Sequence, residues 1–200
     1  MIKPATAFTA FTALMSLSAC ISFGGKAPPS LLTLSPANNI VADETRTAGA
    51  GDTIVIAVPT VPQAIATTRV AVTSGATAIA YIKDAVWVEA PARLFQRVLS
   101  ETVAVKNAKM VIDARQSLSI PSLQLGGTLL RFGIDSETRE AVVVYDAILS
   151  RGKDMPLQSR RFETRVPVSA IEPVPAGKAL NQAANKVAID VAGWIGAGDR

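Results

Sequence analysis

The side chain best suited to covalent chemistry is the thiol of Cys20, the one cysteine in the chain. It follows Leu17, Ser18 and Ala19, and this tetrapeptide matches the bacterial lipobox. In that motif two small residues give a signal peptidase access to the bond before the cysteine, and the thiol takes a diacylglycerol as a thioether. Several acyl chains such as palmitate then hold the protein on a membrane, because a single chain binds only reversibly. We therefore predict cleavage between Ala19 and Cys20, with S-diacylglycerol and N-acyl modification of Cys20.

Residues 1–19 have the character of a lipoprotein signal peptide. Lys3 is the only charged side chain before Lys26, and the uncharged residues 5–14 follow it. This stretch is too short for a membrane-spanning helix, which needs about 20 predominantly apolar residues, but it has the proportions of a secretory signal. An ordinary cleaved signal that happens to contain a cysteine is the alternative. The position and uniqueness of Cys20 favour the lipobox.

The lipobox has consequences for the mature chain. Residues 20–30 are rich in Gly, Pro and small residues and are predicted to form a flexible tether, while residues 31–200 form a single domain. Because there is no second cysteine, disulfides contribute nothing in the oxidising envelope. Ile21 stands where an aspartate would resemble the signal that retains lipoproteins in the inner membrane. We therefore expect the outer membrane, with the domain facing the periplasm.

The sequence lacks the histidine on which several catalytic mechanisms depend. It contains no histidine, which removes Ser-His-Asp and Cys-His mechanisms and most zinc sites. It also lacks a glycine-rich phosphate loop with a lysine. The carboxylates are scattered in predicted loops and turns, such as Asp135 and Glu137, and solvated turn acids are favoured over a paired-carboxylate hydrolase. We therefore expect neither enzymatic activity nor a cofactor or a bound metal.

The charge of the chain is modest. The net charge is +4 and falls by one when Lys3 leaves with the signal. Such a small excess is not the clustered basic footprint of a nucleic-acid-binding protein. Five basic residues do lie close together in the sequence: Arg151, Lys153, Arg160, Arg161 and Arg165. A solvated hairpin face is favoured for them, and a patch for anionic lipid or a partner is the alternative.

Two tryptophans could contact a partner, because tryptophan is amphipathic and carries an indole N–H. Trp87 stands just before a predicted helix, where an anchor in the core is favoured over contact with a partner or lipid. Trp194 lies on the last predicted helix, and a core role is favoured more strongly there. Trp87 is therefore the candidate for partner contact.

The hydrophobic pattern predicts an α+β domain. Runs rich in β-branched residues and bounded by Pro, Gly or polar turns indicate strands at residues 31–34, 53–58, 69–73, 76–83, 84–88, 109–114, 118–120, 128–135, 140–149 and 156–168. Ser74 and Gly75 suit a hairpin connection, and the last three strands are expected to form an antiparallel meander. Pro173 and Pro175 are expected to end the sheet region.

Two amphipathic helices are predicted, at residues 91–105 and 176–195. The first has Pro91 at its opening position and a broad apolar face. The second has one apolar stripe, and its polar residues, among them Asn185 and Lys186, are placed on the opposite face. The expected architecture is a mostly antiparallel sheet with both helices packed on one face.

A further signal comes from the combination of segments along the chain. The lipobox leads into residues 32–36, the strand at residues 54–59 follows, and a late helix ends in Trp194 and Ile195. Between them, a Trp-x-Glu-x-Pro pattern opens a helix at residues 87–91. Together these segments resemble the ABC-type transport auxiliary lipoprotein family, the PqiC-like components of MCE transport systems. The family often has Tyr where this chain has Leu32, and Ala90 alters its usual Trp-Ala-Glu-Pro-Leu pattern.

The resemblance implies an outer-membrane lipoprotein that serves a lipid-moving machine. In such a system an inner-membrane permease and ATPase supply energy, an MCE-domain protein bridges the periplasm, and the lipoprotein docks that bridge at the outer membrane. A structural or assembly lipoprotein of another trans-envelope complex is the alternative, and a lipid-anchored periplasmic hydrolase is a third hypothesis. The expected partners are thus the MCE-domain protein and the membrane rather than nucleic acid, and a homo-oligomer stays open.

Overall fold

The computed structural model describes residues 30–40, 43, 45–113, 123–152 and 155–198. The signal peptide, Cys20, nearly all of the tether and the strand predicted at residues 118–120 lie outside these ranges. The described residues form seven strands and two α-helices. In chain order these are β1 (Thr53–Ile56), β2 (Arg69–Ser74), β3 (Ala78–Val86), α1 (Pro91–Lys106), β4 (Met110–Ile112), β5 (Leu123–Asp135), β6 (Glu140–Ser150), β7 (Gln158–Pro167) and α2 (Pro173–Ala197).

β5 is the central strand of the sheet. Along one edge it pairs antiparallel with β6, and β6 pairs antiparallel with β7, which confirms the predicted meander. The other edge of β5 is shared by two strands that run parallel to it. β1 lies beside its first part and β2 beside its last part. β4 extends the sheet beyond β1, and β3 extends it beyond β2 as the predicted hairpin.

The sheet is therefore mixed rather than purely antiparallel. Its antiparallel pairings are the long ones, whereas β5 meets β1 and β2 over only a few residues each. Parallel neighbours need a crossover connection, and the chain between β1 and β5 supplies it by building the β2–β3 hairpin and α1 on the way. The α+β class and the single domain are confirmed.

Both helices pack on one face of the sheet, as predicted. The buried face of α1 and the stripe of α2 meet each other and the sheet residues that point toward them. On β6 these are the alternate residues Ala141, Val143, Tyr145, Ala147 and Leu149, all of them fully buried. We call this side the helix-covered face, and the opposite side the open face.

The structure corrects the predicted start of the second helix. α2 begins at Pro173, so Pro173 and Pro175 open the helix rather than only ending the sheet region. Proline is tolerated there because the first N–H groups of a helix have no intrahelical partner.

Asn185 is also corrected, because it is buried rather than placed on the solvent face. Its side-chain amide donates to the carbonyl of Ser35 (2.9 Å) and accepts from the N–H of Ala37 (2.6 Å). The segment at residues 30–40 thus lies along α2. Helical periodicity alone could not reveal this cover, since it comes from a distant part of the sequence.

Two predicted strands take a different form. The run at residues 84–88 is not separate, because β3 continues to Val86 through an irregularity at Asp84, whose φ is 58°. The run at residues 31–34 contributes only a single bridge, between Leu32 and Trp87. Its backbone bonds are the Leu32 N–H to the Val86 carbonyl and the Val88 N–H to the Leu32 carbonyl, each 2.8 Å.

Candidate functional site

Trp87 lies in the core and is not presented to a partner. Its side chain is 1% exposed, and its ring meets the ring of Phe132 edge to face with centroids 5.6 Å apart. Among the described residues its Nε1 has no hydrogen-bond partner. Of the two roles weighed for Trp87, the structure shows the core anchor. A partner could reach its indole only if the surrounding core opened.

Trp194 is the more accessible of the two tryptophans. It is half-buried near the end of α2, where its ring lies 5.7 Å from that of Phe162 on β7. The guanidinium of Arg160 lies 5.1 Å from the centre of the Phe162 ring, a cation–π distance. Together with Lys106 these side chains line a groove of about 550 Å³. The sequence favoured a core role for both tryptophans, and more strongly for Trp194, whereas exposure depends on what packs over a residue.

Two arginines of the basic segment are paired with carboxylates on the hairpin of β6 and β7. Arg161 donates two hydrogen bonds of 2.6 Å to Asp146 on the neighbouring strand. Arg165 pairs with Glu163 (2.7 Å) and Glu140 (3.3 Å). The Arg161 hydrogen bond is the main reason why the pKa of Asp146 lies below its ordinary value. The interpretation as a solvated hairpin face fits Arg161 and Arg165. Arg160 lies on the helix-covered side beside Phe162, and Arg151 donates to the Ile195 carbonyl of α2 (2.6 Å). Lys153 lies outside the described residues.

The turn acids Asp135 and Glu137 do not converge into a catalytic pair. The carboxylate of Asp135 accepts the N–H groups of Glu137 (3.1 Å) and Thr138 (3.2 Å), so it organises the turn between β5 and β6. The Thr138 N–H, followed by the Glu137 N–H and the Arg131 guanidinium, holds the pKa of Asp135 below its ordinary value of 3.8. Within the part of the chain that the structure describes, no three or more Cys, His, Asp or Glu side chains could together hold a metal ion.

The open face carries an apolar slot between β2, β3 and β5. A 3-10 turn at Gln63–Ile65 lies over this part of the sheet, held by a hydrogen bond of 3.1 Å from the Tyr81 hydroxyl to the Ala64 carbonyl. The space that remains has a volume of about 390 Å³. Its lining is mostly apolar and includes Pro62, Ala64, Ile65, Ala71, Ile79 and Leu130.

One end of the slot is polar. Arg131 donates to the Thr73 hydroxyl (3.0 Å) and to the Asp135 carboxylate (3.4 Å), so its guanidinium is fixed across the end of the slot. Ile79, the cross-strand partner of Thr73, is half-exposed at the rim of the slot. An apolar cavity of a few hundred Å³ with a few fixed polar groups is typical of a binding site. We take this slot as the candidate functional site.

Sequence reasoning missed the slot. Its floor depends on a register shift in β5 between Leu129 and Arg131, which leaves Leu130 unpaired, and on the 3-10 turn folding back over the sheet. Neither feature follows from alternating hydrophobicity. The pair Pro59 and Pro62 is typical of a turn after β1, but it does not show where that turn lies.

The comparisons with known proteins agree on the fold and on the family. Residues 33–192 match the family described as ABC-type transport auxiliary lipoprotein component, and the chain belongs to that family. The resemblance in the sequence is thereby confirmed. The family is one of lipoproteins that assist ABC-type transport, so the chain is a membrane-anchored envelope protein of a transport system.

Two solved structures share the fold. Protein XCC0632 from Xanthomonas campestris, described under the family name DUF330, superposes with a TM-score of 0.68 at 16% identity, covering 83% of this chain and 94% of that one. A crystal structure of an uncharacterized protein gives a TM-score of 0.64 at 13% identity, covering 83% and 99%. Among curated proteins, no sequence relative matches the chain. At these identities the structural likeness concerns the fold alone.

A helix that crosses a membrane needs about 20 predominantly apolar residues. Neither α1 nor α2, the helices within the described residues, is long and apolar enough to cross a membrane.

Proposed function

We propose that this chain is the lipid-anchored auxiliary subunit of an MCE-linked transport system and docks the periplasm-spanning assembly at the outer membrane. The observation that carries the proposal is the family match over residues 33–192, placed directly after a lipobox at Cys20. The permease and ATPase of the inner membrane would supply the energy, and the MCE-domain protein would be the direct partner. Ile21, which gives no inner-membrane retention signal, supports the outer membrane.

The length of the tether limits the distance between the domain and its lipid anchor. Ser30, the first described residue, lies ten positions after Cys20. A fully extended chain of this length spans at most about 35 Å, and a flexible one averages roughly 17 Å. The domain is therefore confined to a thin layer beside the membrane. A subunit with this reach suits the docking of a large assembly better than capture of a distant partner.

The slot on the open face is the surface where we propose that the partner binds. Its apolar lining and fixed Arg131–Asp135 pair offer both the area and the orienting polar groups that a protein contact uses. Ile79 stands at its rim with about half of its surface exposed. A charge at this position would leave the core intact and place an ion where the partner must pack.

Co-purification of the lipidated protein with its partner tests the proposal. We expect the MCE-domain protein to be recovered with the unaltered chain and to be lost with Ile79→Glu. Ile148→Glu is the matched control, because Ile148 is a similarly exposed isoleucine on the same face. It stands among Thr128, Asp146, Ser159 and Arg161 rather than in the apolar slot, so recovery should be unchanged.

A separate variant tests the lipid anchor. Cys20→Ser should leave an unlipidated precursor that is not cut after Ala19 and no longer fractionates with outer-membrane markers. Palmitate labelling that persists in this variant would contradict the lipobox. If a different trans-envelope complex is recovered in place of an MCE-domain protein, the alternative of an assembly lipoprotein is correct and the transport proposal is wrong.

A further inference from the structure

The two helices and the chain start meet at one end of the domain. The last turns of α1 and α2 lie together, because Asn107, at the end of α1, donates a hydrogen bond of 3.1 Å to the carbonyl of Ala192 near the end of α2. Leu32 lies against Gly177 in the opening turns of α2, and it is bonded to Val88, three residues before α1. The tether therefore enters where both helices begin.

This end exposes three large apolar side chains. Leu31 is 53% exposed, Val88 is 47% exposed and Val174 is 66% exposed. Leu31 and Val88 flank the bridge between Leu32 and Trp87, so their side chains point away from the core that Leu32 and Trp87 enter. Val174 lies three residues before Gly177 and therefore on the same side of α2, nearer the start of the helix than the Leu32 contact. We call these three residues the tether-end patch.

The position of the tether-end patch indicates what covers it. It adjoins Ser30, which is ten residues from the predicted lipidation site, so the patch is the part of the domain that the anchor holds nearest to the bilayer. Apolar side chains at such a distance can enter the boundary between head groups and acyl chains, as interfacial proteins do. We propose that the tether-end patch rests on the bilayer, with Leu31, Val88 and Val174 inserted at its surface. This inference rests on lipidation of Cys20 and fixes the orientation of the docking subunit.

The charges near this end are few and of both signs, with Arg69 beside Val86 as one exposed cation. Arg93 and Lys178 are exposed in the first turns of the two helices. Glu172 precedes α2, and Glu89 is paired with Arg97. The contact should therefore be driven by the apolar side chains and should persist in high salt, which screens attraction between exposed charges.

The opposite end of α1 provides a matched control. Val105 is also an exposed valine, at 42%, and it stands one residue before the end of the 16-residue helix. At 1.5 Å per residue the helix separates the two ends by roughly 24 Å. A domain that rests on the tether-end patch holds Val105 away from the lipid.

Spin labels on the lipidated protein distinguish the two ends. Because the thiol of Cys20 is consumed by the lipid, the cysteine of Val174→Cys or of Val105→Cys is the one free thiol of each variant. Each labelled protein is placed in vesicles of phosphatidylethanolamine and phosphatidylglycerol. The accessibility of each spin label to oxygen, which partitions into lipid, is compared with its accessibility to a water-soluble nickel complex. We expect the label at position 174 to lose accessibility to nickel and gain accessibility to oxygen, and the label at position 105 to remain accessible to nickel.

Each outcome decides the inference. Equal accessibility at the two positions would overturn it, as would lipid contact at position 174 that disappears in high salt, since that would show electrostatic adhesion. Val88→Cys repeats the test in the segment between β3 and α1, so that a local disturbance of α2 cannot produce the result. Protein that does not sediment with the vesicles would overturn lipidation and this inference together. Lipid contact without recovery of an MCE-domain protein would contradict only the docking proposal.

Discussion

The helix-covered and open faces of the sheet are built by different physical means. On β6, residues that point toward the helices are all apolar or aromatic and pack against α1 and α2. On the open face, Val142 and Val144 are also buried, yet they lie outside the core cluster. Their neighbours across the sheet include Arg131, Glu163 and Arg165, whose long side chains can shield apolar surface while their charges stay in water. A buried residue therefore need not belong to the core.

This contrast has a consequence for function. The covered face is committed to stability, because a closely packed interior tolerates little change in volume. The open face is held by ion pairs whose geometry can adjust, and it carries the apolar slot at its β2–β3 side. We therefore expect substitutions on the covered face to change the free energy of unfolding, and those on the open face to change partner recovery.

The largest expected effect is on the covered face. Leu99 is fully buried on α1, and Leu99→Ala should lower the free energy of unfolding by about 2 to 5 kcal/mol, through lost burial and the cavity left behind. Trp87→Ala should cost a similar amount for the same reason. Ile148→Ala on the open face should stay within roughly 0.5 kcal/mol of the unaltered protein. Chemical denaturation measures all three, and equal losses at Leu99 and Ile148 would show that the two faces do not differ.

A smaller effect is expected at Asp135, where the open face meets the turn between β5 and β6. Because hydrogen bonds lower the pKa of this carboxyl from 3.8, its ionised form stabilises the fold above that pH. This contribution should be lost as the pH falls below about 4. Asp135→Asn should cost on the order of 1 kcal/mol at neutral pH and should reduce the loss of stability on acidification. Denaturation curves at neutral and acidic pH measure both, and an unchanged pH dependence would contradict the assigned role.

The smallest expected change in the free energy of unfolding is at Arg165 on the open face, where the contributions of the charge and of the apolar stem can be measured separately. Arg165 pairs with Glu163 and Glu140 and lies beside Val142 on β6. Arg165→Met keeps an apolar stem and loses only half-exposed ion pairs, so its cost should be within about 0.5 kcal/mol and should shrink with added salt. Arg165→Ala should cost more, because it also uncovers Val142. If Met proves as costly as Ala, the charges rather than the stem hold this part of the face.

Several elements of the fold could be predicted from the sequence because their causes are local. The helix that begins at Pro91 follows from an apolar periodicity and a proline at its first position. The hairpin around Ser74 and Gly75 and the meander of β5, β6 and β7 follow from alternation and turn residues. The sequence also carries the lipobox at Cys20, a linear motif whose prediction does not depend on the fold.

Other features were decided by the tertiary structure, because they depend on contacts between distant parts of the chain. Asn185 appeared polar and therefore exposed, but the segment at residues 30–40 covers it and satisfies its amide. The sequence favoured burial more strongly for Trp194 than for Trp87, yet Trp87 packs on Phe132 in the core and Trp194 is only half-buried. The slot required the register shift at Leu130 and a 3-10 turn laid over the sheet. Hydrophobic periodicity records which side of an element is apolar, whereas exposure depends on what the rest of the chain places over that side.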